Sequence, residues 1–309
     1  KVSPAVLLQN PTIETMASTW TKEASVDRLS SLVTMRAAGT KPPLFVIHGG
    51  GGHIFFYQPM VQHLDPDQPV YALQPLGLDG EDEKHQSIES MAAYYLKVIL
   101  QVCPEGPFTV MGSCFSNPVA VEISKLVSPE RRKELSVVIA DSAPIHIFNY
   151  EPILTPIEVR KARFRDRFRS NPVYAIKKML KDRIRRKLKR PLEKWEYLSA
   201  RYSWDTRDRK LLALQENLLK LYYQYEWVQF KGEITLIQTS QNVARINNHD
   251  DDIWQRLAID GVNLLVAEGS HRTRFEEPDV INLARCLQAY MDKHAEHQSS
   301  GKPNEGVLK

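Results

Sequence analysis

Cys114 stands at the tip of Gly112-Ser113-Cys114-Phe115-Ser116, directly after the apolar run Phe108 to Met111. If that run is a strand, the small residues at 112 and 116 let a helix leave it at a sharp angle, which is the geometry of a nucleophile elbow. Covalent acyl transfer from such a residue needs a base, an acid that orients the base, and hydrogen-bond donors for the developing oxyanion. His271, in Glu268-Gly269-Ser270-His271, directly follows the last apolar run of the chain and is the expected base. Two positions compete for the acid. Asp141 ends the run Leu135 to Ala140, whereas Asp250, Asp251 and Asp252 follow the run that ends near Ile237. Asp141 is favoured because it emerges directly from its strand, while the acidic triplet also suits the start of a helix carrying Trp254.

His48-Gly49-Gly50-Gly51-Gly52 fits an oxyanion loop, since glycines let backbone N–H groups approach a reacting carbonyl without side-chain obstruction. Gly50 is the expected loop donor, and the N–H of Phe115, the residue after the nucleophile, the second. No Gly-Lys-Ser/Thr follows the glycines, so they are not a phosphate-binding P-loop. His48 reads as a residue that closes its strand, and Cys103 and Cys286 as ordinary core cysteines.

A cysteine nucleophile changes the energetics of the intermediate. A free thiol has a pKa of about 8.5, and a histidine partner lowers it, so thiolate is available at neutral pH. Its acyl-enzyme is a thioester, more activated than the oxyester that a serine forms. If the donor is also a thioester, loading is nearly thermoneutral and the activation is kept for the second step. That favours capture by an internal amine or hydroxyl, with closure of a ring, over release to water.

These residues must be held by an alternating framework. Leu44 to Ile47, Val70 to Leu73, Phe108 to Met111, Leu135 to Ala140, Ile234 to Ile237 and Val262 to Val266 read as buried strands. Between them, Ile88 to Val102, Pro118 to Leu126 and Asp252 to Ala258 carry helical spacing, and Pro278 to Tyr290 closes the series. The core is expected to begin at Pro42, and the polar tail 294–309 to be loose. Such alternation predicts an α/β fold with a mostly parallel sheet covered on both faces. It breaks over about 145–230, which reads as an inserted helical lid.

With 309 residues and 42% hydrophobic content, the chain can bury one large core. No apolar run is long enough for a membrane span, and three cysteines make neither a disulfide framework nor a spaced metal site. A reducing cytoplasm is the expectation, and Lys1 as first residue suggests an excised fragment. The net charge is only +4, yet fifteen Lys or Arg and two acids fall between Arg160 and Arg190. Apolar residues at helical spacing there predict an amphipathic cationic helix. Its charges are either simply solvated or meet an acidic protein surface or a phosphate-bearing tether; membrane-surface contact is weaker, and no nucleic-acid fold is evident. Leu211 to Leu221 and Tyr222, Tyr223, Tyr225 and Trp227 could roof an acyl pocket or be plain lid core.

Over about residues 42–141 and 234–290 the chain resembles the chain-releasing thioesterase domains of nonribosomal peptide synthetases and related polyketide assembly lines. The resemblance rests on Phe45-Val46-Ile47-His48 with its glycines, Val70-Tyr71-Ala72-Leu73-Gln74-Pro75 with Gly77-Leu78-Asp79-Gly80, Pro104-Glu105-Gly106-Pro107-Phe108, the elbow, Trp254 and Gly269-Ser270-His271. It implies an α/β-hydrolase fold in residues 32–309, a Cys114-His271-Asp141 triad, and a variable helical lid. Leu7 to Ala17 is similar to the last helix of a carrier domain, so residues 1–31 are expected to be a carrier remnant and linker. The implied substrate is an acyl or peptidyl thioester on a carrier's phosphopantetheine arm, with no cofactor bound by this domain; the basic lid has an acidic carrier as its candidate partner. Two departures stand out: the family usually has Ser at 114 and glycines at 116 and 117, where this chain has Cys114, Ser116 and Asn117. Members bearing cysteine include enzymes that close β-lactone or β-lactam rings, which raises cyclisation. Hydrolytic release, a discrete editing thioesterase and a non-catalytic interaction module are the rival functions; the last requires Cys114 and His271 to stand more than about 6 Å apart.

Overall fold

The computed structural model describes residues 31–78, 83–141, 206–241, 243 and 251–300. Its centre is a seven-stranded sheet: β1 (Leu32–Arg36), β2 (Leu44–Ile47), β3 (Val70–Leu73), β4 (Phe108–Ser113), β5 (Leu135–Ala140), β6 (Ile234–Thr239) and β7 (Val262–Ala267). They lie in the order β1-β3-β2-β4-β5-β6-β7. β1 pairs antiparallel with β3, and every other pairing is parallel. The described helices are α1 (Gln58–His63), α2 (Ile88–Val102), α3 (Asn117–Leu126), α4 (Thr206–Gln224), α5 (Asp251–Leu257) and α6 (Asp279–Ser300).

Alternation along the buried strands divides the core into two layers, because successive side chains of a strand point to opposite faces. Phe45, Ile47, Val110 and Ile139 join Met91, Tyr95, Val119, Ile123 and Trp254 on one face. Leu44, Val46, Met111 and Val138 meet Met60, Leu283, Ala284 and Leu287 on the other. Burial on both sides accounts for the largely apolar character of β2, β4 and β5, all but one of whose residues are buried. Helix α2 starts with a reciprocal capping box, in which Ser87 and Ser90 each accept the other's backbone N–H at 3.0 Å.

Two expectations need correction. The sheet starts at Leu32 rather than after Pro42: β1 is an edge strand that buries Val33 alone, and one buried residue next to a polar stretch gives no apolar run to detect. The closing helix continues through Ser300, so 294–300 is not a loose tail. Met291 remains in the core and the Tyr290 and His294 rings stack at 5.6 Å one turn apart, which carries α6 past Tyr290.

The chain separates into two compact units, Lys1–Ile147 with Leu214–Lys309, and Phe148–Ala213. The carrier-like segment 7–17 and the basic stretch 160–190 lie outside the described residues. Of the interval expected to be a lid, residues from Thr206 onward are described, and Thr206–Gln224 form α4. Among the described residues no helix is long and apolar enough to cross a membrane.

Candidate active site

The turn at the end of β4 is built for exposure of one side chain. Cys114 has φ 57°, the left-handed region that β-carbon-bearing residues rarely enter. It opens a 3-10 turn over Cys114–Ser116 that runs into α3. Gly112 is obligatory, since a β-carbon there would meet the Ser116 carbonyl oxygen at 2.8 Å and Ala120 Cβ at 3.1 Å. Ser116, where a glycine was expected from the resemblance, has its own use. Its hydroxyl accepts the Ser113 N–H at 2.8 Å, stapling the turn across its base.

Asp141 also has positive φ, 48°, and its N–H donates to the Ile237 carbonyl at 2.7 Å. Its carboxylate is fully buried. Oδ1 accepts the Thr239 N–H at 2.8 Å and the Thr239 hydroxyl at 2.9 Å, and Oδ2 lies 2.9 Å from His271 Nδ1. A carboxylate accepts, so Nδ1 carries the proton, and the ring presents Nε2 on its other side. His271 and the Cys114 thiol act on each other, each among the causes of the other's pKa shift. The structure therefore brings together Cys114, His271 and Asp141, and the carboxylate bonded to His271 is that of Asp141; Asp250 lies outside the described residues.

The electrostatics of the three groups agree in direction. The His271 hydrogen bond holds the Cys114 thiol below its ordinary range, against burial that would raise it. The bonds to Asp141 and then Cys114 raise the imidazole to about 9, again against burial. Burial pushes the Asp141 carboxyl up, but the bonds from His271 and Thr239 outweigh it and keep the group below its usual value. A depressed thiol beside an elevated imidazole favours a thiolate–imidazolium pair. Cys103 and Cys286 behave oppositely: burial raises both thiols.

In the glycine loop, the Gly49 N–H donates to the His53 carbonyl at 3.2 Å and the Gly52 N–H to the Gly49 carbonyl at 2.9 Å, which folds the loop on itself. Gly50 lies against the nucleophile turn, its missing β-carbon 3.6 Å from Phe115 Cβ. The Phe115 backbone N–H is the smallest of the influences that lower the Cys114 thiol pKa. His48 is wholly buried, with Nδ1 2.7 Å from the Gly49 carbonyl and its ring stacked 5.3 Å from Phe115, and burial lowers its pKa to about 3. It is a neutral structural residue, as the sequence suggested. Tyr222 of α4 approaches the Phe115 ring to 5.9 Å, and burial and the nearby Cys114 raise its phenol pKa.

Sequence reasoning missed Thr239, Ser113 and Arg274. Thr239 sits two residues past the expected end of β6, and only the β5–β6 pairing brings it under Asp141. Arg274, three residues after His271, is a buried cation that donates to the Ser113 hydroxyl at 2.8 Å and to the His271 carbonyl. No local pattern marked it, since 271–275 is a turn without periodicity.

A mostly parallel sheet flanked by helices, with a nucleophile turn between β4 and α3, is the α/β-hydrolase architecture. Residues 42–289 match the Thioesterase domain family model, and the chain belongs to that family. It is 39% identical over 94 residues to malpibaldin synthetase of Mortierella alpina, a segment covering 30% of this chain and 2% of that protein. It is 29% identical over 140 residues to a dimodular nonribosomal peptide synthase of Bacillus subtilis, covering 45% of this chain and 6% of that one. Among solved structures, a four-domain nonribosomal peptide synthetase bound to AMP and glycine superposes with TM-score 0.58 at 22% identity, over 94% of this chain and 22% of that chain. The NocB thioesterase domain from the nocardicin cluster superposes with TM-score 0.55 at 17% identity, over 85% of this chain and 99% of its own. These likenesses support the fold.

Proposed function

We propose that the chain is the chain-releasing thioesterase of a nonribosomal peptide synthetase or related assembly line, with residues 32–309 as the catalytic domain, 145–230 as its lid and 1–31 as carrier remnant and linker. The single observation that carries the mechanism is the His271 imidazole bonded to the Asp141 carboxylate and acting on Cys114, the three residues following β7, β5 and β4 of one sheet.

The Cys114 thiolate attacks the carbonyl of an acyl or peptidyl thioester on a carrier's phosphopantetheine arm. The negative charge that develops on the carbonyl oxygen is held by the N–H groups of Gly50 and Phe115; one such donor is worth on the order of 3 kcal/mol in the transition state. The C–S bond to pantetheine breaks, protonated His271 gives its proton to the departing thiolate, and the acyl group remains on Cys114. His271, now neutral, takes a proton from the second nucleophile as that attacks the acyl-Cys114 carbonyl, and Cys114 leaves as thiolate. Asp141 holds the Nδ1–H tautomer throughout and offsets the imidazolium charge. Because the intermediate is still a thioester, an internal amine or hydroxyl is the favoured acceptor, which releases a cyclic product, including a strained β-lactone or β-lactam. The carrier domain is the partner, and the basic segment 160–190 suits its acidic surface.

Intact-mass measurement after loading with an acyl-pantetheine thioester, with product analysis in the same reaction, tests both steps. The parent should gain one acyl mass and Cys114→Ala none, with cyclic product released. An adduct retained by Cys114→Ala would overturn the nucleophile assignment, and release of linear acid alone would overturn cyclisation.

A further inference from the structure

Arg274 is 9% exposed, and burying a guanidinium is costly unless hydrogen bonds and countercharge replace the lost water. The replacements here all come from the nucleophile region. Nη2 donates to the Ser113 hydroxyl at 2.8 Å, and Nη1 donates to the His271 carbonyl. The guanidinium carbon also sits 4.8 Å from the Phe275 ring centroid. Ser113 passes the connection on, its hydroxyl donating to the Ala140 carbonyl at 3.1 Å. One side chain thus ties together the residue before Cys114, the residue before Asp141 and the backbone of His271.

The same group places a fixed charge beside the site. Arginine stays protonated at any working pH. Among the described residues, the titratable groups acting on Arg274, Cys114 and His271 are those three themselves with Asp141, Tyr57 and Tyr222. Both tyrosines are kept neutral by burial. The countercharges are Asp141, already committed to His271 and Thr239, and the Cys114 thiolate itself.

We propose that Arg274 is a positioning residue of the reaction: it pins the His271 loop to the nucleophile turn, and its charge sets the pH at which the Cys114–His271 pair gives up its protons. This rests on the assignment of Cys114 and His271 above. The sign follows from charge alone. Each of the pair's two deprotonations removes one unit of positive charge from beside the guanidinium, so the cation assists both, and its loss moves both steps to higher pH whichever group ionises first.

The test is the pH dependence of Cys114 alkylation by iodoacetamide in the full chain, with peptide mapping to separate Cys114 from Cys103 and Cys286. Because alkylation needs no turnover, it reads the pair independently of the thioesterase assignment. Arg274→Met should move the alkylation midpoint up by about one pH unit, the scale for a unit charge several ångströms away in a partly screened site. Arg274→Lys retains the charge and should hold the parental midpoint while thioester turnover falls roughly tenfold for loss of the two-point tether. Ser113→Ala should likewise leave the midpoint in place and lower kcat with little change in KM. A folded Arg274→Met protein with an unmoved or lowered midpoint overturns the charge role, and parental kcat in Ser113→Ala overturns the tether. Should Arg274→Met fail to fold, a midpoint raised in Arg274→Lys would count against the charge role just as directly. A parental Cys114 that alkylates like an ordinary thiol would overturn the nucleophile assignment together with the proposal.

Discussion

Replacing Asp141 by Asn isolates the charge that acts on His271. Asn tolerates the left-handed backbone found at this position, φ 48°, and its side-chain oxygen can still accept from Thr239, so the fold should survive. What it loses is the carboxylate 2.9 Å from Nδ1. The imidazole pKa is about 9 against an ordinary 6.5, and the Asp141 bond is the largest cause of that rise. The whole difference corresponds to ~3.4 kcal/mol of preference for the imidazolium. Part of it belongs to the Cys114 bond, and the His271 side chain is 27% exposed, so water screens another part. We expect kcat/KM to fall on the order of 100-fold, equivalent to ~2.7 kcal/mol. Initial rates on an acyl-pantetheine thioester at pH 7.5, with thermal melts to show that the fold is retained, measure it. A folded Asp141→Asn protein within threefold of parental kcat/KM would refute the reasoning, because His271 would then not depend on the buried charge.

Three further outcomes follow from the same structure. Cys114→Ser should leave a lower-energy oxyester that persists in intact-mass spectra while turnover falls by roughly tenfold or more; parental turnover with no persisting adduct would contradict the thioester argument. Gly112→Ala pushes a methyl against the Ser116 carbonyl oxygen at 2.8 Å, which should cost about 1–3 kcal/mol and lower Tm by roughly 2–5 °C, read by calorimetry. His48 is held neutral in the fold, with its pKa near 3 instead of 6.5, so the unfolded chain takes up a proton that the folded chain does not; its stabilisation is intact above pH 6.5 and declines as pH falls toward 3. His85, lowered to about 4 by burial, acts in the same sense. Urea unfolding at pH 6 and pH 5 should therefore show a slope smaller by up to ~1.4 kcal/mol per pH unit in His48→Phe, and equal slopes in the two proteins would rule out the buried neutral imidazole.

Most of the framework was legible because it depends on local pattern. Leu135–Ala140 and Ile88–Val102 have the bounds their apolar spacing implied, and β4, β6 and β7 differ only by one or two residues at their ends. The edge strand β1 was not legible, since a strand with one buried residue carries no contrast between its faces. α1 escaped notice for a related reason: six residues are too few to display a helical period. The far end of α6 was lost because polar residues after Tyr290 look alike whether they solvate a helix or a tail.

For the site, residue type and position relative to strand ends selected Cys114, His271 and Asp141. Each terminates a local element, and an elbow can be recognised from small residues around a nucleophile after an apolar run. Local sequence favoured Asp141 over the acidic triplet at 250–252 because it emerges directly from its strand, but it could not show which carboxylate meets His271. The tertiary structure supplies that contact for Asp141: parallel pairing of β5 with β4 and β6 sets it beside the nucleophile turn, over the Thr239 donors and against His271. The tether formed by Arg274 and Ser113 spans 161 residues of chain and has no periodicity or motif. A buried charge finds its partners through the path of the backbone, and only the folded sheet brings those partners together.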